Sequence, residues 1–310
     1  MLKSNSASAA SATGGTVASA RIRGIVFMVL GGALLTLNDA IMKGLTGGYP
    51  IGEIMTFRGL FVLIPLLLFL KPAGGRRALA IRNRKGQFIR AVLVVGSTFC
   101  FVAALSLLPL ADAIALTFAG PLFMTALAST MLGEFVGWRR WAAVTVGFVG
   151  VVIMLRPGAG AINWAAALPL GAALAGAFRD IITRQISATD SSFSILVVTT
   201  GSVAVAGIAT MPFGWVMPSP GDLALLACAG LLLAGAHYLL IEALRLAEVT
   251  VIAPFKYVSL IWATMFGFLI WGQLPDVWTW AGSALVVLSG LYILHREARH
   301  GIVESRTSAL

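Results

Sequence analysis

Apolar residues gather along this chain in ten blocks parted by short polar breaks, at about 24–44, 51–70, 88–108, 112–132, 138–156, 164–184, 192–213, 222–243, 250–271 and 277–294. None alternates apolar and polar residues with a period of two, as a lipid-facing barrel strand does. Each holds roughly 20 residues, enough at about 1.5 Å per residue for a helix to cross a hydrocarbon core. In that core no water can satisfy a free N–H or C=O, so a helix, which satisfies its own, is the expected form. The breaks at 109–111 and 272–276 are so short that the helices they join must be antiparallel neighbours. The pattern predicts an all-α membrane protein of ten transmembrane helices with no soluble domain between them.

The pattern is also written twice. Leu108-Pro109-Leu110-Ala111-Asp112 precedes an apolar run and then Gly133-Glu134. Leu244-Arg245-Leu246-Ala247-Glu248 precedes another run and then Gly272-Gln273. Trp141-Ala142 is echoed by Trp280-Ala281, and Asn38-Asp39 with Lys43 by Arg179-Asp180 with Arg184. Several matches in the same order mark a duplication. Five spans separate the copies, an odd number, so the second copy enters the membrane from the other side as an inverted repeat. The expected layout is a disordered N-terminal tail over 1–20, five-helix repeats over 21–156 and 157–296, and a C-terminal tail over 297–310.

Composition agrees. The chain is 59% hydrophobic and 11% charged, which excludes an ordinary soluble domain. Its 34 glycines suit helices that approach closely. A net charge of +10 would suit nucleic acid if it were clustered on a domain, but the basic residues lie between the apolar blocks. Arg21, Arg23, Lys71, Arg76, Arg77, Arg82, Arg84, Lys85, Arg90, Arg139, Arg140, Arg184, Arg245 and Arg296 fall on one side, and only Arg156 clearly on the other. That bias puts both termini in the cytoplasm and the chain in the cytoplasmic (inner) membrane. Cys100 and Cys228 sit in apolar runs without metal-ligand spacing.

With these residues in hand, the chain resembles the drug/metabolite transporter superfamily in its EamA-domain branch. Pro50 and Arg58 in the second span carry the likeness, with Ala111-Asp112 through Pro121 in the fourth and Gly133-Glu134 after it. Gln273 departs from the acidic residue usual in the second copy. The resemblance implies a secondary transporter that exports or exchanges a small organic metabolite, nearest in type to amino-acid and metabolite exporters. Its expected partners are that metabolite and the lipid bilayer, with no obligatory protein partner and no nucleic acid.

Ionisable groups inside a membrane are costly, so each is a candidate for function. Asp39 and Arg58 lie at similar depth in the outward half and can either pair as a gate or serve as a fixed structural pair. Arg179, Asp180 and Lys256 lie in the inward half, where a Lys256–Asp180 pair would close the other end. Lys43 and Arg179 are near enough to helix ends to snorkel. Asp112 and Glu248 open helices, where a carboxylate complements the dipole. His237 is open to two readings, a proton sensor or a packed helix contact. Pro121 and Pro254 interrupt the fourth and ninth spans as hinges. For an amino-acid substrate, including apolar and aromatic ones, the candidate contacts are Asn38, Asp39, Thr98, Phe99, Phe118, His237, Tyr238, Tyr257 and Trp262. A drug-like amphipathic cation is the alternative cargo, and a membrane enzyme a remote one. The chain has no phosphate-binding loop, no metal motif and no nucleophile constellation, so neither cofactor nor metal is expected.

Overall fold

The computed structural model describes residues 4–72, 75–131, 137–155, 164–186, 189–247 and 252–307. Gly133, Glu134 and Glu248 lie outside them, as do the side chains of Arg184 and Arg245. The described residues contain helices and no strand. In chain order the helices are α1 (Ser4–Leu45), α2 (Ile51–Leu68), α3 (Arg84–Leu107), α4 (Leu110–Thr117), α5 (Gly120–Met131) and α6 (Trp138–Leu155). They continue with α7 (Ala167–Ile186), α8 (Ser192–Ile208), α9 (Pro220–Leu246), α10 (Val258–Trp271) and α11 (Val277–Thr307). Among the described residues, eight stretches are long and apolar enough to cross a membrane. Phe193–Ile208 and Val277–Ile293 are apolar but shorter. α1 runs from Ser4 and the last helix to Thr307.

Local chemistry sets the helix ends. Asn83, Ser191 and Ser219 each cap a helix by accepting a backbone N–H three residues on, and Pro220 follows Ser219 at the first helical position. Pro109 forces Leu108 into an extended conformation (φ −117°, ψ 154°), which stops α3 at Leu107. The fourth apolar block, expected as one kinked helix, is two helices. Pro121 has no N–H for the carbonyl of Thr117, and α4 ends there. Pro254 likewise sits in a 3₁₀ stretch, Ala253–Tyr257, ahead of α10.

The most extensive helix contacts all join the first half of the chain to the second: α1 with α9, α3 with α7, α6 with α11, and α2 with α8 and α9. Contacts of α3 with α8, α5 with α7, α1 with α10 and α4 with α10 follow. Exchanging the two halves span for span leaves this set unchanged, the signature of a pseudo-two-fold. The helices of the α1–α9 and α3–α7 pairs run antiparallel. Gly24 lies against Ala247 and Gly31 against Leu240 in α1–α9, while Gly86 lies against Ile186 and Arg90 against Thr183 in α3–α7. Each half therefore buries its apolar faces against the other, and neither is a free-standing unit. The main core cluster, with Met42, Ile54, Leu105, Leu110 and Leu122 fully buried, lies across that seam.

Candidate functional site

A cavity of about 600 Å³ lies between the two halves, walled by α1, α3, α4, α5, α7, α9, the 3₁₀ stretch and α10. The helix breaks shape its middle. Phe118, at the end of α4, and Tyr257, at the end of the 3₁₀ stretch, meet edge to face with ring centroids 5.0 Å apart. The Tyr257 ring fits because residue 290 on α11 is glycine. A Cβ there would stand 2.0 Å from the tyrosine oxygen.

The two ends of the cavity differ. At one, Asp180 and Lys256 are exposed. At the other, Met42, Leu105, Leu108, Leu110 and Ala111 form a buried layer. Lys43 locks that layer. Its ammonium donates to the carbonyl of Leu105 at 2.8 Å and of Leu108 at 2.6 Å, and it stands 5.5 Å from the centre of the Trp271 ring. Those carbonyls are free because α3 stops before Pro109, and the negative end of a helix dipole favours a cation. Snorkelling, the expectation for Lys43, is thus replaced by an internal tie between α1, α3 and α10.

Of the residues singled out in the sequence, Asp39, Thr98, Phe118, Pro121, Arg179, Asp180, Lys256 and Tyr257 line the cavity. Asn38 does not, but it is fully buried and its amide donates to Asp39 at 2.9 Å, while its own oxygen has no partner. Arg58 is half-buried, its Nη2 reaching the Met55 sulfur at 3.5 Å and its Nε unpaired. It makes no ion pair with Asp39, although the two charges interact over a longer distance. The expected Lys256–Asp180 pair is also absent. Asp180 pairs instead with its neighbour Arg179 at 2.8 Å.

Phe99 packs in the core cluster behind the wall. Trp262 stacks on Phe266, its indole N–H buried without a partner. His237 is exposed and turns its Nδ1 to the Leu233 carbonyl, and Tyr238 beside it is 63% exposed. Neither lines the cavity, nor does Pro254. Thr36, Ser97 and Met124, which the sequence did not single out, also lie on the wall, as does the mid-span aromatic Phe101. Thr36 could have been found from its place three residues before Asp39, on the same helical face. Among the described residues, no three His, Cys, Asp or Glu side chains are grouped to hold a metal.

On the flank of the Asp180 end, polar contacts tie the halves together. The Asp190 carboxylate accepts the backbone N–H of Arg82 and Asn83 and the amide of Gln87, at 2.9, 3.1 and 2.9 Å. Arg90 on α3 donates to Thr183 on α7 at 2.7 Å and to the Thr199 hydroxyl on α8. Burial works against the charged Asp190, but the bonds from Gln87, Asn83, Arg82 and Thr189 outweigh it and hold its carboxyl below the usual value of 3.8.

The chain matches the model of the EamA-like transporter family twice, over residues 22–156 and 163–295. It is 31% identical to a riboflavin transporter of Rhizobium johnstonii, over 91% of this chain and 94% of that one. It is 27% identical to an S-adenosylmethionine uptake transporter of Rickettsia prowazekii, over 90% and 94%. It is 25% identical to a pseudopaline exporter of Pseudomonas aeruginosa, over 86% and 94%. A solved crystal structure shares its fold with a TM-score of 0.62 at 16% identity, covering 91% of this chain and 99% of the other.

Proposed function

Because the chain belongs to the EamA-like transporter family, we propose that this multi-pass membrane protein is a ten-helix secondary transporter that carries a heteroaromatic metabolite by alternating access. Its membrane is then the cytoplasmic one and both termini face the cytoplasm, the side on which nearly all loop Lys and Arg fall. The two matched stretches act as inverted repeats around one site. The observation that carries the reading is the cavity itself. It is buried between the halves, sealed by the Met42–Leu105–Leu110 layer and accessible at the Asp180–Lys256 end. A carrier has such single-ended access in each of its two states.

Size and lining support the cargo. About 600 Å³ falls within the range for drug-sized ligands, roughly 300–1,000 Å³. Riboflavin and S-adenosylmethionine, the cargoes named for two relatives, are of that size class and each has a flat ring system. Phe101, Phe118 and Tyr257 offer faces to such rings. Asp39, oriented by Asn38, and Thr98 read polar edges at the closed end. Pro121 and Pro254 act as hinges, and Arg179, Asp180 and Lys256 belong to the gate at the open end. The amino acids expected from sequence are the second reading. It is favoured by the Asp39 carboxylate at one end of the cavity and the Lys256 ammonium at the other, which suit a zwitterion.

Counterflow in proteoliposomes tests both. Liposomes preloaded with riboflavin, S-adenosylmethionine or an amino-acid mixture are offered traces of the labelled compound. Saturable uptake with riboflavin or S-adenosylmethionine supports the first reading, and uptake with amino acids alone the second. Flux that never saturates would defeat the carrier assignment.

A further inference from the structure

A second concavity, which shares no lining residue with the cavity described above, lies on the α6–α11 pair. These two helices cross closely where each carries a glycine. A Cβ on Gly150 would stand 2.6 Å from the Gly282 carbonyl, and one on Gly282 2.4 Å from that of Gly150. From that crossing an open groove of about 430 Å³ runs toward the start of α6, lined by Trp138, Arg139, Val146, Leu288, Ser289 and Tyr292 among others.

The groove has three tiers. At its mouth the Arg139 guanidinium stands 5.5 Å from the centre of the Trp138 ring, and both side chains are exposed. Trp138 is 74% exposed and Tyr292 46%, the placement of amphipathic rings at the level of lipid headgroups. One turn deeper, about 4.5 Å along α11 from Tyr292, comes Ser289. It is only 5% exposed, and its hydroxyl has no hydrogen-bond partner. Buried hydroxyls ordinarily have one. Deeper still the walls are aliphatic: Val146, Leu285 and Leu288.

We infer that this groove binds an anionic phospholipid of the adjacent leaflet. Its phosphate meets Arg139 at the mouth, an ester carbonyl accepts from Ser289, and the upper acyl chain lies along Val146 and Leu288. The order of cation, hydroxyl donor and apolar channel matches the order of groups down a phospholipid. A second copy of the chain is the poorer occupant. A symmetric dimer through this groove, with its two-fold along the membrane normal, would bury both Arg139 guanidinium groups at one depth of one interface without an acidic residue in the groove lining to pair them. The site is separate from the transport cavity, so it stands or falls independently of the cargo.

The test is native mass spectrometry of the purified full chain, offered phosphatidylglycerol and phosphatidylcholine in equal amounts. Wild type is expected to retain phosphatidylglycerol in preference. Arg139→Gln should cut that preference about fivefold, the effect of one basic residue at a membrane surface, and Arg139→Lys should keep most of it. Ser289→Val, which replaces the hydroxyl with a methyl group and adds a second one, should weaken retention of both lipids. Helix content by circular dichroism checks that each variant is folded. The proposal is overturned if wild type shows no preference between the lipids or if Arg139→Gln keeps the preference whole. It is also overturned if the chain is a dimer that Val146→Trp dissociates.

Discussion

Replacing Lys43 by methionine should unlock the sealed end of the cavity. The side chain keeps its approximate length and apolar body but loses two charge-assisted donations, to the carbonyls of Leu105 and Leu108, and its place near the Trp271 ring. A hydrogen bond to a charged group is worth about 1.5–3 kcal/mol net, and a cation over an aromatic ring about 0.5–1 kcal/mol at a partly exposed site. Lys43 is half-buried and recovers hydration when the end opens, which discounts the sum. About 2–4 kcal/mol in favour of the closed end is a fair balance, a bias of roughly 30- to 1,000-fold in population.

The assay is labelling by a membrane-impermeant maleimide. Cys100 and Cys228 are first replaced by serine, and a cysteine is then introduced at Ala111, which is 3% exposed in the sealed layer. In the Lys43 background this cysteine should react slowly. With Lys43→Met it should react at least tenfold faster, and Lys43→Arg should fall between, since a guanidinium keeps the charge but fits the two carbonyls differently. Equal labelling in all three folded variants would refute the idea that this lysine holds the end shut.

Other outcomes follow from the same geometry. Gly282→Ala puts a methyl group 2.4 Å from the Gly150 carbonyl, so α6 and α11 must separate, and thermal unfolding in detergent should show a loss of about 1–3 kcal/mol. Gly290→Ala collides with the Tyr257 hydroxyl, and Tyr257→Phe in the same chain should relieve part of the collision, read as transport recovered in counterflow. Tyr257→Ala removes one face of the Phe118 pair and should raise the transport KM by about three- to tenfold, from an aromatic contact worth about 0.5–1.5 kcal/mol. Asp190→Asn should lower the melting temperature at neutral pH. Because the folded carboxyl titrates below its ordinary 3.8, its stabilisation is present above that pH and fades as pH falls through the folded value. The gap between variant and wild type in melting scans should therefore close only in strong acid.

Much of the fold was legible because a membrane span leaves a simple trace, a long apolar run with basic flanks. The repeat was legible because its boxes sit at helix boundaries, where Pro109 and the small and acidic residues around it are constrained by local backbone chemistry. Depth along a helix was also legible, and it placed Asp39, Thr98, Phe118, Arg179 and Lys256 where the cavity has them. Rotation about the helix was not. His237, Tyr238 and Trp262 lie in suitable spans, yet the first two are exposed and the third faces Phe266. In a helix whose lipid-facing and core-facing sides are both apolar, periodicity cannot tell one face from the other. Charge pairing failed for a different reason. Arg179 and Asp180 are adjacent in sequence and pair with each other, and Lys43 found helix-end carbonyls where snorkelling to the interface was expected.

Lys43 also explains why the sealed end needs no ion pair. A pair such as Asp39–Arg58 would need two charges to be stripped of water together, at a cost that often exceeds their attraction. A lysine set against the open carbonyls of a terminated helix costs less, because those carbonyls lack backbone partners whether or not the lysine is there. Pro109 therefore does two jobs through one constraint. It ends α3, and by ending it leaves acceptors that Lys43 takes up from α1. Proline at the α4–α5 break works by the same economy, freeing the backbone beside the cavity at Thr117 while Phe118 turns to meet Tyr257. In both places a missing N–H, not an added charge, gives two helices a junction at which they can part and meet again.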